Sequence, residues 1–446
     1  MHPEHLIDDT VAYINMKGGI TACVPRELNL MTPYVLLEQE DWFESEIDFV
    51  RVLAEQLTLS LDIGANFGLY SLALAKGGES QSEVWAFEPV DQPRDYLQKS
   101  IIANGLNNLK IAALALSSFS GSADMYSGAN TEMSTLNQSL AQEDLQKKSV
   151  PVTTLDEFCS EHFLEGVDFI KIDAEGEEEN VIRGGEKLFR ISSPLVMFEI
   201  GVEERYLAVI KILQNQSYEI YRHVPGLNCL APVDPGEDLD SFQLNLFACK
   251  QDRAQWLIEK NLLTPKISDR DARDGSATLA AKIDPNNFPH FKFFDKSWVQ
   301  EPSGTNFEET AYLGAIVRYG RAQDKSRRIS ERFTMLQASH NDLRELCTRH
   351  PSRSRLMTYA RVAQDCGERT RAFQTLSYLE KNFQDLEYDP SEAFLPPCPR
   401  YDNIDPRGQP DAWMRAAVTE QKLMLSTLTS YLAGDEYLDA LNDLKR

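Results

Sequence analysis

Leu59-Ser60-Leu61-Asp62-Ile63-Gly64-Ala65-Asn66-Phe67-Gly68 decides the fold. A short apolar run of strand length ends in a glycine turn, and a helical stretch at 69–75 follows. Gly64 and Gly68 let the backbone approach a ligand closely, and the free N–H groups of a helix start favour a carboxylate or phosphate. Twenty residues after Gly68, Val84-Trp85-Ala86-Phe87-Glu88-Pro89 is a second strand ending in a carboxylate. An acid at that point accepts two hydrogen bonds from a ribose diol. A dinucleotide turn requires a middle glycine where Asn66 stands, so the loop suits something smaller than a pyrophosphate.

Outward from this turn, strands expected at 57–62, 84–88, 109–117, 150–153, 167–173, 195–199, 218–222 and 244–249 alternate with helices. The helices are expected at 69–75, 91–104, 154–162, 178–188 and 203–214. This is the pattern of βαβ units in a mostly parallel sheet. The last strand follows Pro232, Pro235 and Gly236, a reversal that predicts an antiparallel strand added at the edge. Residues 1–56 read as a lead-in with a helix near 42–56, and residues 57–250 as one α/β domain. Residues 251–304, interrupted by Pro265, Pro285, Pro289 and Pro302, read as a linker or wrapping segment. Residues 305–446 read as an all-α domain. There Gly367 stands five residues before Ala372, the spacing of a tetratricopeptide-like hairpin, although a single unit is equally an ordinary helical hairpin.

At about 150 residues per domain, 446 residues predict two or three domains, and 42% hydrophobic residues supply a core for each. Sixty-nine acidic against 45 basic side chains give a net charge of −24, which repels nucleic acid and anionic membrane surfaces. The excess is one-sided. Residues 1–250 hold 40 acidic against 17 basic side chains, and residues 251–446 hold 29 against 28. Seven cysteines without a CxxC pair signal neither a zinc site nor a disulfide framework. No apolar run approaches membrane-spanning length and the first residues lack a secretory pattern, so a cytoplasmic protein is expected.

Two further strands end in carboxylates: Val167-Asp168-Phe169-Ile170-Lys171-Ile172-Asp173-Ala174-Glu175-Gly176-Glu177-Glu178 and Leu195-Val196-Met197-Phe198-Glu199-Ile200. With the glycine turn, Phe87-Glu88-Pro89, Asn104-Gly105-Leu106-x-Asn108 and Thr154-Leu155-Asp156, the stretch over about 40–250 resembles the FkbM family of class I S-adenosylmethionine-dependent methyltransferases. The resemblance implies a Rossmann-like sheet, S-adenosylmethionine as cofactor, and O-methylation of a hydroxyl-bearing acceptor such as a saccharide, glycan or related metabolite. In that fold the turn formed here by Asp62, Gly64, Ala65, Asn66 and Gly68 lies beside the methionyl part. Glu88 with Pro89 holds the ribose, and Ser117 marks the adenine end. Asn104, closing a helix, is a further candidate contact.

Methyl transfer from a sulfonium needs in-line placement of the reactants and removal of the alcohol proton. Asp173 and Glu175 sit at the carboxyl end of a central strand, where open α/β sheets bind ligands, and period two puts Lys171 on their side. Glu199 stands one strand over. The cluster has two chemical roles open to it: holding Mg²⁺ that lowers the alcohol pKa, or supplying a general base. A plainer reading has Asp173 binding the methionyl ammonium and Lys171 merely pairing with Asp173. Glu177, Glu178 and Glu179 then form a solvated helix start favoured by the macrodipole. His223 reads as an exposed loop histidine, and Ser134-Thr135-Leu136 as a polar loop that closes over substrate or is simply mobile.

Two other classes remain open. Asp238-Leu239-Asp240 and Asp269-Arg270-Asp271 match the acidic spacing of metal-dependent glycosyltransferases, a weak motif in an Asp-rich chain. Alternatively, the front domain is a non-catalytic cofactor-binding scaffold and the helical half the working module. A base-methylating loop of Asn/Asp-Pro-Pro-aromatic type is absent after the 167–173 strand. The near-neutral helical half is assigned to acceptor recognition, homo-oligomerisation or a protein partner, with Trp298, Trp413 and Tyr431 either stacking on sugars or filling the core.

Overall fold

The computed structural model describes residues 10–78, 82–127, 135–136, 146–200, 203–234, 236, 238–266, 288–293 and 307–432. Two compact units divide the chain, Met1–Arg222 with Gln243–Leu257, and His223–Phe242 with Ile258–Arg446.

The chain begins with a hairpin, β1 (Val11–Met16) and β2 (Ile20–Pro25), then α1 (Met31–Gln39) and α2 (Glu46–Ala54). Next come β3 (Leu59–Ile63), α3 (Leu69–Gly77), β4 (Glu83–Phe87), α4 (Asp91–Asn104) and β5 (Leu109–Ala112). Then follow β6 (Ala115–Leu116), β7 (Gly121–Ser127), β8 (Gln146–Thr153), α5 (Leu155–Glu161), β9 (Phe169–Ile172), α6 (Glu178–Gly184), α7 (Glu186–Ile191) and β10 (Leu195–Glu199). The last are α8 (Glu203–Asn215), β11 (Glu219–Val224), β12 (Cys229–Pro232), β13 (Asn245–Cys249) and α9 (Gln251–Glu259), with β12 in the second unit.

Within the first unit the main sheet runs β11-β13-β10-β9-β3-β4-β5, parallel from β10 to β5. Every residue of β3, β9 and β13 is buried, as in strands covered on both faces. The expected antiparallel strand is β13, but it lies inside the sheet rather than at its edge. Phe247 pairs with Met197 of β10 on one side and Tyr221 of β11 on the other.

Three more expectations change. The strand expected over 109–117 splits, because β6 leaves β5 and joins β8 and β7 in a separate three-stranded sheet. The helix expected over 178–188 breaks at Gly184 and Gly185, where a Cβ on Gly184 would stand 2.2 Å from the Ser117 carbonyl oxygen. Residues 1–56 are more than a lead-in. Their helix α2 buries Phe49 edge-on against Phe247, at 5.3 Å between ring centroids.

Register positions the site. Ile63 pairs with Phe87 of β4 and with Ile172 of β9, and Ile172 pairs with Phe198 of β10. The next residue on each strand is Gly64, Glu88, Asp173 or Glu199, so one glycine and three carboxyl side chains leave the sheet at one level.

In the second unit α10 (Phe307–Ala322), α11 (Ile329–Arg349), α12 (Arg353–Asp365), α13 (Arg369–Lys381) and α14 (Pro410–Ser426) each pack on the next. Gly367 takes φ +87° at the α12–α13 turn and Ala372 is fully buried, which makes this pair a tight helical hairpin. Within the expected linker, the described residues include regular elements. These are α9 and a 3-10 turn, Pro289–Phe293, whose His290 and Phe291 are buried. Trp413 is a core residue with its indole N–H on the Ile404 carbonyl, not a stacking platform. His223 is also buried rather than exposed, with Nε2 2.9 Å from Asn228 Oδ1. Ser134, Pro235, Asp269-Arg270-Asp271, Pro285, Trp298 and Pro302 lie outside the described residues.

Candidate active site

Gly64 is required by its surroundings. Its φ is +78°, and a Cβ there would stand 1.8 Å from the Asp173 carbonyl oxygen. The turn therefore presses against the backbone that carries the acidic loop. Asn66 adopts φ +50°, a left-handed conformation that asparagine tolerates. Its backbone N–H donates to Glu88 Oε2 at 2.8 Å, while the Val90 N–H donates to Glu88 Oε1 at 2.7 Å. Burial pushes the Glu88 carboxyl up to about 7 against the pull of those two donors. Asn66 also carries a sealed side-chain oxygen, Oδ1, with no partner among the described residues.

Gly64, Asn66, Glu88, Pro89, Asp173 and Glu175 line one cleft of about 670 Å³, counted with its open mouth. Ala115, Leu116, Met125 and Leu136 supply an apolar wall. That wall is why β6 and β7 leave the main sheet. Of the loop singled out at 134–136, the described residues reach the cleft: Thr135 Oγ1 donates to the Glu175 carbonyl at 2.7 Å and Leu136 lines it.

On the β9 side, Lys171 Nζ lies 2.6 Å from Asp173 Oδ2 and 4.9 Å from the centroid of the Tyr70 ring. Burial pulls the Lys171 amine down, but the carboxylates of Asp173, Asp62 and Glu44 outweigh it and hold the amine above its ordinary value. Glu175, at φ +48°, is pushed up to about 7 by burial and then by the Asp173 charge. Glu199 rises to about 9 through burial and then the charges of Asp173 and Glu175.

The Glu177–Glu179 run is not a uniform solvated start. Glu178 is buried, and its Oε1 accepts from the N–H groups of Ala174 and Gly176, both at 3.0 Å, shaping the turn that presents Glu175. Glu177 accepts from Ser117 Oγ at 2.8 Å. Only Glu179 turns outward, to Arg183 at 2.7 Å.

Several predicted cofactor contacts support the cleft from beneath or stand apart from it. Asp62 is fully buried under the turn, accepts from Ser71 Oγ at 2.5 Å, and is raised by burial. Ala65 donates its N–H to the Phe87 carbonyl at 3.0 Å. A Cβ on Gly68 would meet Leu97 at 2.2 Å, so that glycine serves helix packing. Ser117 is buried against Glu177 instead of facing the cleft; its neighbours Ala115 and Leu116 line it. Asn104 is not brought to the cleft at all. Its Oδ1 accepts from the Thr21 N–H at 2.9 Å and its Nδ2 donates to the Thr21 carbonyl at 2.6 Å, which ties α4 to β2.

Sequence reasoning missed Glu44 and Asn245. Tyr70 Oη donates to Glu44 Oε2 at 2.6 Å, and Asn245 Nδ2 donates to the same oxygen at 2.9 Å, so a carboxylate from before α2 joins the group around Lys171. Burial raises Glu44 as well. The only local signal was Tyr70, in the first turn of α3. Of the two roles open to the cluster, holding Mg²⁺ finds no support in the structure. Among the described residues no group of three or more His, Cys, Asp or Glu side chains converges on a point that could hold a metal ion.

A parallel sheet whose neighbouring strands end in a glycine turn, a buried carboxylate and an acidic loop is the arrangement expected from the resemblance to S-adenosylmethionine-dependent methyltransferases. Residues 62–220 match the family described as the methyltransferase FkbM domain. Solved structures similar to this chain include methyltransferase FkbM from Methylobacillus flagellatus KT, at 18% identity and TM-score 0.30. The match covers 43% of this chain and 43% of that one, so this chain spans under half of that protein's length. A SAM-dependent O-methyltransferase from Thermotoga maritima matches at 15% identity over 54% and 77% of the two chains, TM-score 0.30. Precorrin-6y C5,15-methyltransferase from Geobacter metallireducens GS-15 matches at 13% over 45% and 87%, TM-score 0.27. No curated protein matches the chain. Among the described residues no helix is long and apolar enough to cross a membrane.

Proposed function

We propose that the protein transfers a methyl group from S-adenosylmethionine to a hydroxyl of a saccharide-type acceptor, with Glu175 as general base. The observation that carries the reading is that Glu88, Asp173 and Glu175 line one cleft. The cofactor, when bound, supplies an electrophilic methyl on a sulfonium whose carbon–sulfur electrons leave as a thioether. Glu88 accepts the ribose hydroxyls through lone pairs left over by its two backbone donors. The apolar wall of Leu116, Met125 and Leu136 takes the adenine, in place of the Ser117 contact expected from the resemblance. Gly64 and Asn66, which line the cleft, border the methionyl part.

Asp173 is held by Lys171 and orients the reacting groups. Glu175 lines the cleft outside that ion pair, and its raised pKa of about 7 places a base near operating pH. As the O–CH₃ bond forms, the alcohol proton passes to Glu175. The hydroxyl and saccharide assignments rest on the family resemblance. Two measurements test the proposal: S-adenosylmethionine raises the melting temperature, as a ligand selective for the native state must, and labelled methyl appears in members of a neutral glycan panel. No shift at millimolar cofactor contradicts it and favours the scaffold.

A further inference from the structure

The second unit contains a cavity of about 270 Å³, and its lining is unlike the apolar core formed by Met357, Leu376 and Met414 in the same unit. Tyr319, Gln323, Arg361, Asp365 and Asp402 line it, with Phe288 as an apolar patch. Most of these polar groups belong to a web. Tyr319 Oη donates to Asp365 Oδ2 at 2.7 Å, Arg361 Nη2 donates to Asp402 Oδ2 at 3.1 Å, and Arg361 Nη1 donates to the Pro396 carbonyl at 3.1 Å. The web does not close. Gln323 Nε2 and Arg361 Nε are sealed from solvent and have no hydrogen-bond partner among the described residues, a state that folded proteins rarely keep without a reason.

Charge and size narrow the occupant. One guanidinium stands against two carboxyls: Arg361 pairs with Asp402 at 3.1 Å and Asp365 accepts from Tyr319 Oη, so the cavity holds no uncompensated cation that would select a strong anion. Carboxyls that accept, beside an amide that both accepts and donates, match groups that do both, which hydroxyls do. At about 30 Å³ per water the volume holds about nine waters, or a single six-membered polyhydroxyl ring.

We propose that this cavity binds a neutral polyhydroxyl ligand, a monosaccharide or cyclitol, whose hydroxyls donate to Asp365 and Asp402 beside the Gln323 side chain that lines it. The site is independent of the methyl-transfer reading, since it uses none of that cleft's residues.

Saturation-transfer NMR on the full chain tests it, with glucose, N-acetylglucosamine and myo-inositol as millimolar probes and S-adenosylhomocysteine present to occupy the other cleft. At least one probe receives saturation, and Gln323→Leu, which keeps the bulk and removes the amide, lowers affinity about fivefold or more with the melting temperature retained. Leu395→Phe, which fills the cavity, has the same effect; should that variant fail to fold, Gln323→Leu decides alone. Saturation of none of the three probes means a water-filled cavity and overturns the proposal, as does undiminished binding in Gln323→Leu.

Discussion

The two sides of the cleft are built differently. On the β3–β4 side the groups are placed by backbone: Gly64 by a left-handed turn, Asn66 two residues on, and Glu88 by N–H groups from Asn66 and Val90. On the β9–β10 side they are placed by charged and polar side chains, with Lys171 among Asp173, Asp62 and Glu44, and Glu44 tied to Tyr70 and Asn245. A binding turn built by backbone tolerates little backbone change, whereas a charge cluster built from side chains sets protonation. Cofactor grip and proton chemistry should therefore separate under mutation.

The largest effect is expected at the turn. Gly64→Ala meets both an unfavourable φ and a collision with the Asp173 carbonyl, worth about 3 kcal/mol of stability, with loss of cofactor binding. Chemical denaturation and calorimetric titration with S-adenosylhomocysteine check this. Retained binding would show that the turn is not the shared wall of the cleft.

Glu175→Gln tests the other side. Methyl transfer falls about a hundredfold or more while cofactor affinity changes little, and the wild-type rate rises with pH through about 7 as Glu175 ionises, a rise the variant lacks. If the rate rise survives in the variant, the base lies elsewhere. Asp173→Asn, which frees Lys171 from its partner, lowers transfer as well.

A smaller effect belongs to Glu88. Replacement by Ala costs about 1–2 kcal/mol of cofactor affinity, and in the wild type affinity increases as pH rises through about 7, because the ionised carboxylate is the better acceptor. Folding stability responds in the opposite sense. Glu88, Glu175 and Glu199 are raised above their unfolded values, so their contribution is complete below about 4.5 and is lost as pH rises through about 7 for the first two and about 9 for Glu199. Glu199→Gln should therefore flatten the fall in melting temperature between neutral and alkaline pH. An unchanged slope would remove Glu199 from the buried acidic group.

The smallest effect is at Asn104. Asn104→Ala leaves cofactor affinity unchanged and lowers stability by about 1 kcal/mol, since its amide only ties α4 to β2. A loss of affinity would restore it to the cofactor site.

This contrast also explains what was legible. Buried strands and tight turns leave local patterns, so Leu59–Ile63, the Gly64 turn and Glu88 were readable from neighbouring residues. Asp173 and Glu175 announced themselves by ending a strand. Glu44 and Asn245 did not, because a carboxylate ahead of a helix and an amide starting a strand acquire their role only when β13 inserts between β10 and β11. Ser117 and Asn104 were read from position alone, and burial against Glu177 and the Thr21 backbone decided their surroundings instead. The interior place of β13 was equally invisible, since a proline-rich reversal specifies direction and not neighbours.

A crystal structure with S-adenosylhomocysteine tests the central claim most directly. The account predicts the ribose hydroxyls about 2.7–3.2 Å from the Glu88 carboxylate, the adenine against Met125 and Leu136, and the sulfur facing Asp173 and Glu175. A ligand seated elsewhere, or a ribose remote from Glu88, would contradict it.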